Sequence, residues 1–530
     1  MPIRLGVLVS SARHAVSPSV FICRLVAFRL GPLLLHMSYF LAVDLLGFLA
    51  LLLLEPSSPG SRPRYFDVFF MSTSAVTVTG LATIKMEDLS SSQIVVLTVL
   101  MILGSEMFVS LLGLVLESRK RKSHDQDDSR VRPSSVVTVC DNDSDLEQAS
   151  DDPPAASADP GGDRKERESC CLRSLALVLL AYMATVLLLG SLTVFLYVAA
   201  VPSARDVLAR KGINAALFSA STTVSSFTNG GLLPTNESMA VFAANRGLLL
   251  LLAAQILAGN TLLPVFLGLA IRATRALMAR RRRSDSSGDA ESMAKSAVAA
   301  GFGHLLLPGA LQKASLAATV AAVAAAAAAL LCVLNWDSAV FAGLTAGEKV
   351  TNAVFMAVNV RQAGENSVDC SLVAPAVLVL FLAMMCVPAS ATFFSVAEQD
   401  GGGELERKDG GGAEKRRMRL SVNGMLLSPL AFVAAAVMLV CVTERRSLSG
   451  DPLNFSTFNV IFEVISAYRN VGLSTGYSCS RLLRPEEASG CHDSPYSFSG
   501  RWSDQGKLLL VLLMLYGRLK GFLHRQQRRR

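Results

Sequence analysis

Charged residues are scarce in this chain. They make up 17% of its 530 residues, while 51% of the residues are hydrophobic; a soluble domain carries roughly 25% charged residues. A shortfall over so long a chain indicates many membrane spans rather than a single anchor. The formal net charge is +8, but the Lys and Arg residues stand in short clusters beside apolar runs, as cytoplasmic flanks of membrane spans do. This distribution argues against a nucleic-acid-binding protein.

Histidine is also rare, with six residues, and the ten cysteines show no metal-ligand spacing. The histidines do not pair at a useful spacing, whereas a membrane-embedded enzyme would need a cluster of catalytic groups on facing helices. The sequence therefore predicts no enzyme, no cofactor and no metal site other than one for transported monovalent cations. Cys479 and Cys491 lie in one polar loop, and a disulfide between them is expected if that loop is extracellular.

Long apolar stretches fill most of the chain. A helix needs ~20 mostly apolar residues to cross a bilayer. The stretches of that length are 32–54, 92–116, 174–201, 247–271, 313–335, 374–396, 425–442 and 506–523, and the shorter ones between them, of re-entrant length, are 65–79, 213–229, 348–363 and 455–471. The order long, short, long occurs four times. The predicted fold is an all-α polytopic membrane protein with four pseudo-repeated helix–pore loop–helix units, comprising eight transmembrane helices and four re-entrant pore helices around a central pore.

Polar linkers separate these units and have a disordered or low-complexity composition. The predicted boundaries are 1–116 for the basic N-terminal tail and first unit, 173–279 for the second unit, 313–397 for the third, 421–530 for the fourth with a basic C-terminus, and 117–172, 280–312 and 398–420 for the cytoplasmic linkers.

Basic clusters set the predicted orientation. One follows the second long helix of each unit, at Arg119–Lys122, Arg280–Arg283, Lys415–Arg417 and Arg528–Arg530. Such clusters stay on the cytoplasmic side, which places both chain ends in the cytoplasm and the short stretches toward the outside of, we expect, the plasma membrane. The Arg-rich first 31 residues fit either a cytoplasmic tail or a transit peptide; we favour the tail because a full-length span follows.

A glycine lies near the end of each short stretch: Gly80, Gly231, Gly364 and Gly472. Non-helical backbone at membrane depth persists only inside protein or along a water-filled cavity, so four such turns are expected to share one cavity. Glycine can turn its carbonyl inward without a Cβ clash, and rings of carbonyls replace the hydration shell of a cation. The pattern predicts a cation pore; separate tight turns beneath outer loops are the alternative.

Acidic residues follow the glycines. On the outer side they would concentrate cations at the mouth of a pore, unless they are simply solvated loop charges. These outer-mouth candidates are Glu87, Asp88, Glu237, Glu365 and Asp369.

Further acidic residues fall at membrane depth. Asp44 and Glu106 lie in predicted spans, where carboxylates are functional candidates by default; a hydrogen bond in helix packing is the alternative. Glu463, in the fourth short stretch, either holds its loop by accepting hydrogen bonds from backbone amides or adds a charge to the outer mouth.

Three residues of the long stretches are pore or gate candidates. Lys507 and Arg518 lie on the last helix, and Arg518 could face the pore and limit cation occupancy by repulsion, or snorkel to the inner interface. Pro388 interrupts the sixth span, where a break could place a gate below the filter; an ordinary proline kink is the alternative. Asn236 and Asn454 begin glycosylation sequons on the predicted outer side.

Longer motifs surround the glycines: Ser-Ala-Val-Thr-Val-Thr-Gly80, Asn229-Gly-Gly-Leu-Leu-Pro-Thr-Asn236-Glu237, Arg361-Gln-Ala-Gly364-Glu365, Gly472-Leu-Ser-Thr-Gly-Tyr477 and Met514-Leu-Tyr-Gly-Arg518-Leu-Lys520. In these motifs the chain resembles the plant high-affinity potassium transporters, called HKT, of the Trk/Ktr/HKT cation transporter superfamily. It looks most like the cereal members of the second, potassium-permeable subfamily. The resemblance covers nearly the whole chain outside the linkers.

The resemblance implies a homodimer in membrane lipid with one pore per subunit, and it implies that Gly80, Gly231, Gly364 and Gly472 select the ion. In this family, serine at the first of these positions goes with sodium selectivity, and glycine with potassium permeation, often alongside sodium. The implied function is K+ and Na+ transport by uniport or symport, for high-affinity potassium uptake and sodium/potassium homeostasis. The alternatives are a mainly Na+-selective uniporter and a non-selective cation channel that also passes divalent ions.

One position departs from the family pattern. Arg469 stands where the family usually has a small residue, three residues before Gly472. Its guanidinium could repel cations from the filter or pair with a carboxylate such as Glu463. A receptor or scaffold without ion flux is disfavoured, because it would need no repeated pore loops.

Overall fold

The computed structural model describes residues 17–57, 63–129, 160–279, 302–303, 305–307, 309–387, 429–482, 491, 493–494 and 497–528. Over these ranges the chain is helical, and its only β-type pairing is an isolated antiparallel bridge between Tyr477 and Ser494. Pro388 and the three predicted linkers lie largely or wholly outside the described residues, so their expected roles stay predictions.

The described helices are, in chain order, α1 Ser17–Leu53, α2 Tyr65–Val76, α3 Ser91–Gly104, α4 Glu106–Ser129, α5 Pro160–Ala200, α6 Pro202–Lys211, α7 Ala215–Thr228, α8 Arg246–Ile256, α9 Leu263–Ala279, α10 Ala310–Asn335, α11 Ala346–Asn359, α12 Pro375–Cys386, α13 Pro429–Thr443, α14 Arg445–Gly450, α15 Thr457–Arg469 and α16 Asp504–Arg528. A π-helical turn, Leu257–Thr261, joins α8 to α9.

By length and composition, three helices in the described part can cross a membrane: Leu34–Leu53 of α1, Ser169–Ala200 of α5, and α10. The number rises to five if each of two bent pairs counts as one span. Helix α12 and Leu430–Thr443 of α13 are apolar but shorter. The described chain is thus a predominantly helical protein with membrane-spanning helices.

Two predicted spans are broken rather than straight. Residues 92–116 form α3 and α4, which meet at 53°, and residues 247–271 form α8 and α9, which meet at 91°. Ser105 ends α3 with extended backbone, and its hydroxyl accepts a hydrogen bond from the amide of Phe108 at the start of α4. Hydropathy alone could not locate these breaks, because the two helices of each bent pair together are long and apolar enough to pass as one span.

The four short stretches form helices α2, α7, α11 and α15. Polar caps begin three of them: Asn214 accepts from two amides of α7, Thr345 and Glu348 form a capping box on α11, and Ser456 caps α15. Each helix ends three to five residues before its glycine. The C-terminal ends of the four short helices therefore lead directly into the glycine turns.

Contacts between the helices run in a closed cycle. The long helix that follows each short helix packs against the short helix of the next unit: α3 on α7, α8 on α11, α12 on α15, and α16 back on α2. Most side chains of the four short helices are buried by this packing. The cycle brings the four glycine turns together.

Candidate functional site

All four predicted filter glycines adopt left-handed backbone. Their φ angles are +89° for Gly80, +69° for Gly231, +66° for Gly364 and +86° for Gly472. Side chains with a Cβ rarely adopt this conformation. A side chain with a Cβ would therefore strain the backbone at each of these turns.

A Cβ atom added to any of the four glycines would meet the backbone of the next turn. A Cβ atom built on Gly80 would lie 2.8 Å from the Cα of Gly231, and one built on Gly231 would lie 2.9 Å from the carbonyl oxygen of Ala363. A Cβ on Gly364 would lie 2.9 Å from the Cα of Gly472, and one on Gly472 would lie 2.9 Å from the Cα of Gly80. We call this closed set of backbone contacts the glycine ring. It has no room for any side chain.

A second left-handed residue precedes three of the glycines by two positions. These residues are Val78, Asn229 and Asn470, with φ of 55°, 60° and 53°. A β-branched residue such as Val78 is a rare occupant of this region, so the surrounding contacts must impose the conformation. Alternation in the sign of φ turns successive peptide groups toward one side, which lets several carbonyls face one cavity.

Three further glycines pack against the backbone just before the turns. Cβ atoms on Gly104, Gly259 and Gly517 would overlap the carbonyl oxygens of Val76, Phe227 and Tyr468, respectively. Each of these carbonyls belongs to the residue four positions before a ring glycine. We call these three residues the supporting glycines. The motifs around the ring glycines did not point to these three, although a glycine inside a long apolar helix costs stability and therefore signals close packing.

Glu365 was expected at the outer mouth, but it lies inside the protein. Its side chain is fully buried and accepts hydrogen bonds from the hydroxyls of Ser225 at 3.1 Å and Ser226 at 2.9 Å. Its own amide donates to Oδ1 of Asn359 at 2.9 Å. Glu365 thus ties the third turn to helix α7, since a buried carboxylate needs such partners.

Glu463 has the equivalent role in the fourth unit. It is fully buried and accepts from the hydroxyls of Ser474 and Ser497, each at 2.7 Å, and from the amide of Ser499 at 2.9 Å. Of the two alternatives, the structure thus favours the one in which Glu463 holds its loop.

The remaining acidic candidates lie farther out. Glu87 and Glu237 both contact Nζ of Lys211. Asp88 is half-buried, and its carbonyl accepts from the amide of Ser57 at 3.1 Å. Asp369 is exposed and caps a short helical turn by accepting from the amide of Ser371 at 2.8 Å.

A cavity opens directly above the ring. Its lining includes Gly80, Gly231 and Gly364, with Asn236, Ser238 and Asn366 farther out. Asn366 spans neighbouring turns, because its amide donates to the hydroxyl of Ser238 at 3.0 Å and its side chain to the carbonyl of Ser474 at 3.4 Å. Among the described residues, the lining carries no charged side chain and also includes the apolar residues Ala82, Met86, Leu232 and Leu233.

The two intramembrane carboxylates have different surroundings. Asp44 is buried, and its Oδ2 accepts from the hydroxyl of Thr73 at 2.8 Å, so it joins α1 to α2. This is the helix-packing alternative of the sequence analysis. Glu106 is half-buried at the start of α4, beside the break after α3.

Lys507, one of the pore or gate candidates, lies buried between helices. It is only 1% exposed, and its Nζ lies 2.6 Å from Oδ1 of Asp67. This ion pair joins α16 to α2 and closes the cycle of helices. The Nη2 of Arg518 donates to the carbonyl of Gly104, at the break between α3 and α4.

Arg469 does not pair with Glu463. Its Nε donates to the carbonyl of Met385, 2.8 Å away, in the last turn of α12. A cation is favoured at a helix C-terminus, where the free carbonyls carry partial negative charge. Arg469 therefore anchors the end of the fourth short helix to the end of α12.

The Arg469→Gly variant is expected to carry at least the wild-type cation current. If the guanidinium of Arg469 repels permeating ions in the wild type, the current of the variant is expected to be larger. Voltage clamp with currents normalised to surface expression measures this effect. Arg469→Lys, which keeps the charge, is the matched control and is expected to behave as wild type. A clear fall in the Arg469→Gly current at unchanged surface expression contradicts this prediction.

The two sequon asparagines differ in burial, and only Asn454 is enclosed in the folded chain. Asn454 is fully buried, and its Nδ2 donates to Asp451 and to the carbonyl of Ser478. Asn236 lines the cavity above the ring, and its Oδ1 accepts from the amide of Glu87 at 3.3 Å. In the outer loop, a disulfide joins Cys479 to Cys491.

Comparison with known proteins identifies relatives that are cation transporters. The chain matches the TrkH family, described as a cation transport protein, over residues 160–524. It is 58% identical over 519 residues to the cation transporter HKT2;4 of Oryza sativa subsp. japonica, covering 98% of each chain. It is 38% identical over 463 residues to the sodium transporter HKT1 of Arabidopsis thaliana, covering 87% of this chain and 88% of that one.

Among solved structures, the chain is similar to the potassium transporter TrkH from Vibrio parahaemolyticus, with 15% identity and a TM-score of 0.49, covering 93% of this chain and 83% of that one. The extent of the family match and the full-length identity to HKT2;4 decide the assignment: the chain belongs to the TrkH and HKT family of cation transporters, which are not enzymes.

Proposed function

We propose that this protein moves K+ and Na+ across the plasma membrane through the glycine ring, as a potassium-permeable transporter. The observation that carries the proposal is the ring itself: four left-handed glycines, one from each unit, whose backbones contact one another in a closed set. Backbone carbonyls in such a set can replace the water around a monovalent cation. The sodium transport named for the relative from Arabidopsis thaliana supports Na+ as one cargo, and the resemblance to the potassium-permeable subfamily suggests K+ as the other.

The architecture of this proposal is four helix–pore loop–helix units around one pore. The spans would be α1, α3–α4, α5, α8–α9, α10, α12, α13 and α16, and the re-entrant pore helices α2, α7, α11 and α15. The cycle of contacts between successive units supports this arrangement. Basic clusters favour cytoplasmic N- and C-termini.

Helix dipoles would stabilise the charge of a cation in the pore. Each of the four short helices ends just before its ring glycine, so each directs its C-terminal end, with roughly half a negative charge, toward the ring. The two fully buried carboxylates, Glu365 and Glu463, are engaged by serine hydroxyls and an amide and hold the turns in place. An ion would therefore meet neutral oxygens, which bind it weakly enough to release it.

One chain supplies all four turns of the ring, so one pore per subunit needs no residue from a second chain. We therefore propose that a homodimer, as the family resemblance implies, would carry two independent pores. Exposed leucines such as Leu46, Leu177 and Leu188 on the long helices offer apolar surface for lipid or for a second subunit.

Voltage clamp of the expressed protein tests the proposal. In varied external K+ and Na+, the reversal potential is expected to follow both ions, and rubidium uptake is expected in a host that lacks its own cation uptake. A reversal potential that follows Na+ alone would favour the mainly sodium-selective alternative, and currents carried by Ca2+ would favour the non-selective one. Absence of any cation current at confirmed surface expression would overturn the proposal.

A further inference from the structure

One lysine sits between two carboxylates at the outer mouth. Nζ of Lys211 lies 2.6 Å from Oε1 of Glu87 and 2.6 Å from Oε2 of Glu237. The two carboxylates belong to the chain segments after the first and second ring glycines, whereas Lys211 ends α6. The three side chains together carry a net charge of −1, and their ion pairs join three separate segments of the chain.

This cluster is connected to the cavity above the ring. The amide of Asn236 donates to Oε1 of Glu87 at 3.1 Å, and the amide of Glu87 donates to Oδ1 of Asn236 at 3.3 Å. Asn236 itself lines the cavity together with Gly80 and Gly231. A charge on the cluster therefore acts close to the route by which a cation would reach the ring.

The cluster is also open to the outer solution. The side chains of Lys211, Glu87 and Glu237 are 17%, 26% and 41% exposed, respectively. Burial lowers the pKa of Lys211, but the hydrogen bonds and charges of Glu237 and Glu87 outweigh it, so the pKa is raised overall. Lys211 is therefore protonated at neutral pH and cancels one of the two carboxylate charges.

We propose that Lys211 limits the affinity of the outer mouth for external cations, by acting as a tethered cation that occupies the space between Glu87 and Glu237. This inference rests on the proposed function, because it concerns the same pore. Lys211 does not touch an ion at the ring; it sets how strongly the mouth concentrates any external cation. The effect is electrostatic and must weaken as salt rises.

Lys211→Gln tests the proposal at two ionic strengths. At about 10 mM salt, where the Debye length is about 30 Å, the variant is expected to lower by about twofold the external K+ concentration needed for half-maximal current. At about 150 mM salt, where the Debye length is about 8 Å, the difference is expected to shrink toward nothing. Sugar keeps the osmolarity constant between the two conditions.

Arg210→Gln is the matched control. It removes the same charge one residue away, but Arg210 is exposed and its Nε donates within its own helix, to the carbonyl of Asp206 at 3.3 Å. The control is expected to change the half-maximal concentration much less than Lys211→Gln does. Equal effects from the two variants would show a general surface charge and overturn the role assigned to Lys211.

Glu237→Gln supplies a second, opposite test. It removes a negative charge from the same cluster, so it is expected to raise the half-maximal K+ concentration at low salt and to have little effect at high salt. If Lys211 were only a structural clamp, Lys211→Gln would lower the current equally at both salts, which would overturn the inference. Wild-type protein that reaches the surface but carries no current would instead refute the proposed function.

Discussion

Gly104→Ala is expected to reduce cation current more than tenfold, although it adds a single methyl group. That methyl would overlap the carbonyl oxygen of Val76, a backbone atom that cannot rotate away. Either α3 or the end of α2 must shift, and overpacking of this kind costs about 1–3 kcal/mol. Because Val76 lies four residues before Gly80, the shift would be passed to the glycine ring, where the four turns contact one another without space to spare.

The measurement is voltage clamp with surface protein determined in the same cells. Gly259→Ala makes the equivalent change in the second unit, against the carbonyl of Phe227, and is expected to act in the same way. Gly450→Ala is the control, because no atom of the described residues lies within 4 Å of its added Cβ. Wild-type current per surface molecule in Gly104→Ala would show that the supporting glycines do not set the position of the turns.

Gly80→Ser is expected to shift selectivity from potassium toward sodium. Serine at φ +89° is strained, and its Cβ would lie 2.8 Å from the Cα of Gly231, so the first two turns must move apart or one carbonyl must leave the ring. The carbonyl oxygens of the ring would then no longer form a uniform set. This change is expected to disfavour K+, the larger and more weakly hydrated of the two ions. We expect the permeability of K+ relative to Na+ to fall about tenfold, which moves the reversal potential by about 60 mV when K+ is the only permeant cation on one side of the membrane and Na+ the only one on the other.

The control for Gly80→Ser is Gly343→Ser. Gly343 also has positive φ, at +77°, but among the described residues no atom lies within 4 Å of its added Cβ. This variant therefore carries the backbone strain without the crowding and is expected to keep the wild-type reversal potential. An unmoved reversal potential in Gly80→Ser would remove Gly80 from the selectivity filter.

The glycine turns were predictable because their signal is local. Each short stretch is too brief to span a membrane and ends near a glycine, and this pattern repeats four times along the chain. Hydropathy and spacing are enough to find such a repeat. The starts of the short helices were also within reach, since Asn214, Thr345 and Ser456 are ordinary helix caps.

The partners of charged residues were not predictable from sequence. Glu365 was expected in solvent, yet it bonds to Ser226, 139 residues earlier in the chain. Lys507 was expected near the pore, yet it pairs with Asp67, 440 residues earlier. An isolated acidic or basic residue in a loop gives no sign of burial. Only the cyclic packing of the four units brings these side chains to their partners.

The supporting glycines were only partly predictable from the sequence. Gly104, Gly259 and Gly517 each stand in the second long helix of a unit, a regularity visible in the sequence once the units are aligned. The carbonyl that each one contacts could not be foreseen, because the bends after α3 and α8 depend on tertiary packing.

The most direct test of the account is the position of a bound ion. Anomalous diffraction from crystals of this protein in a rubidium salt would locate it. If the glycine ring is the selectivity filter, a peak is expected that is enclosed by Gly80, Gly231, Gly364 and Gly472, within reach of carbonyl oxygens from all four turns. Rubidium bound elsewhere, with the four turns apart and no polar channel between them, would contradict it.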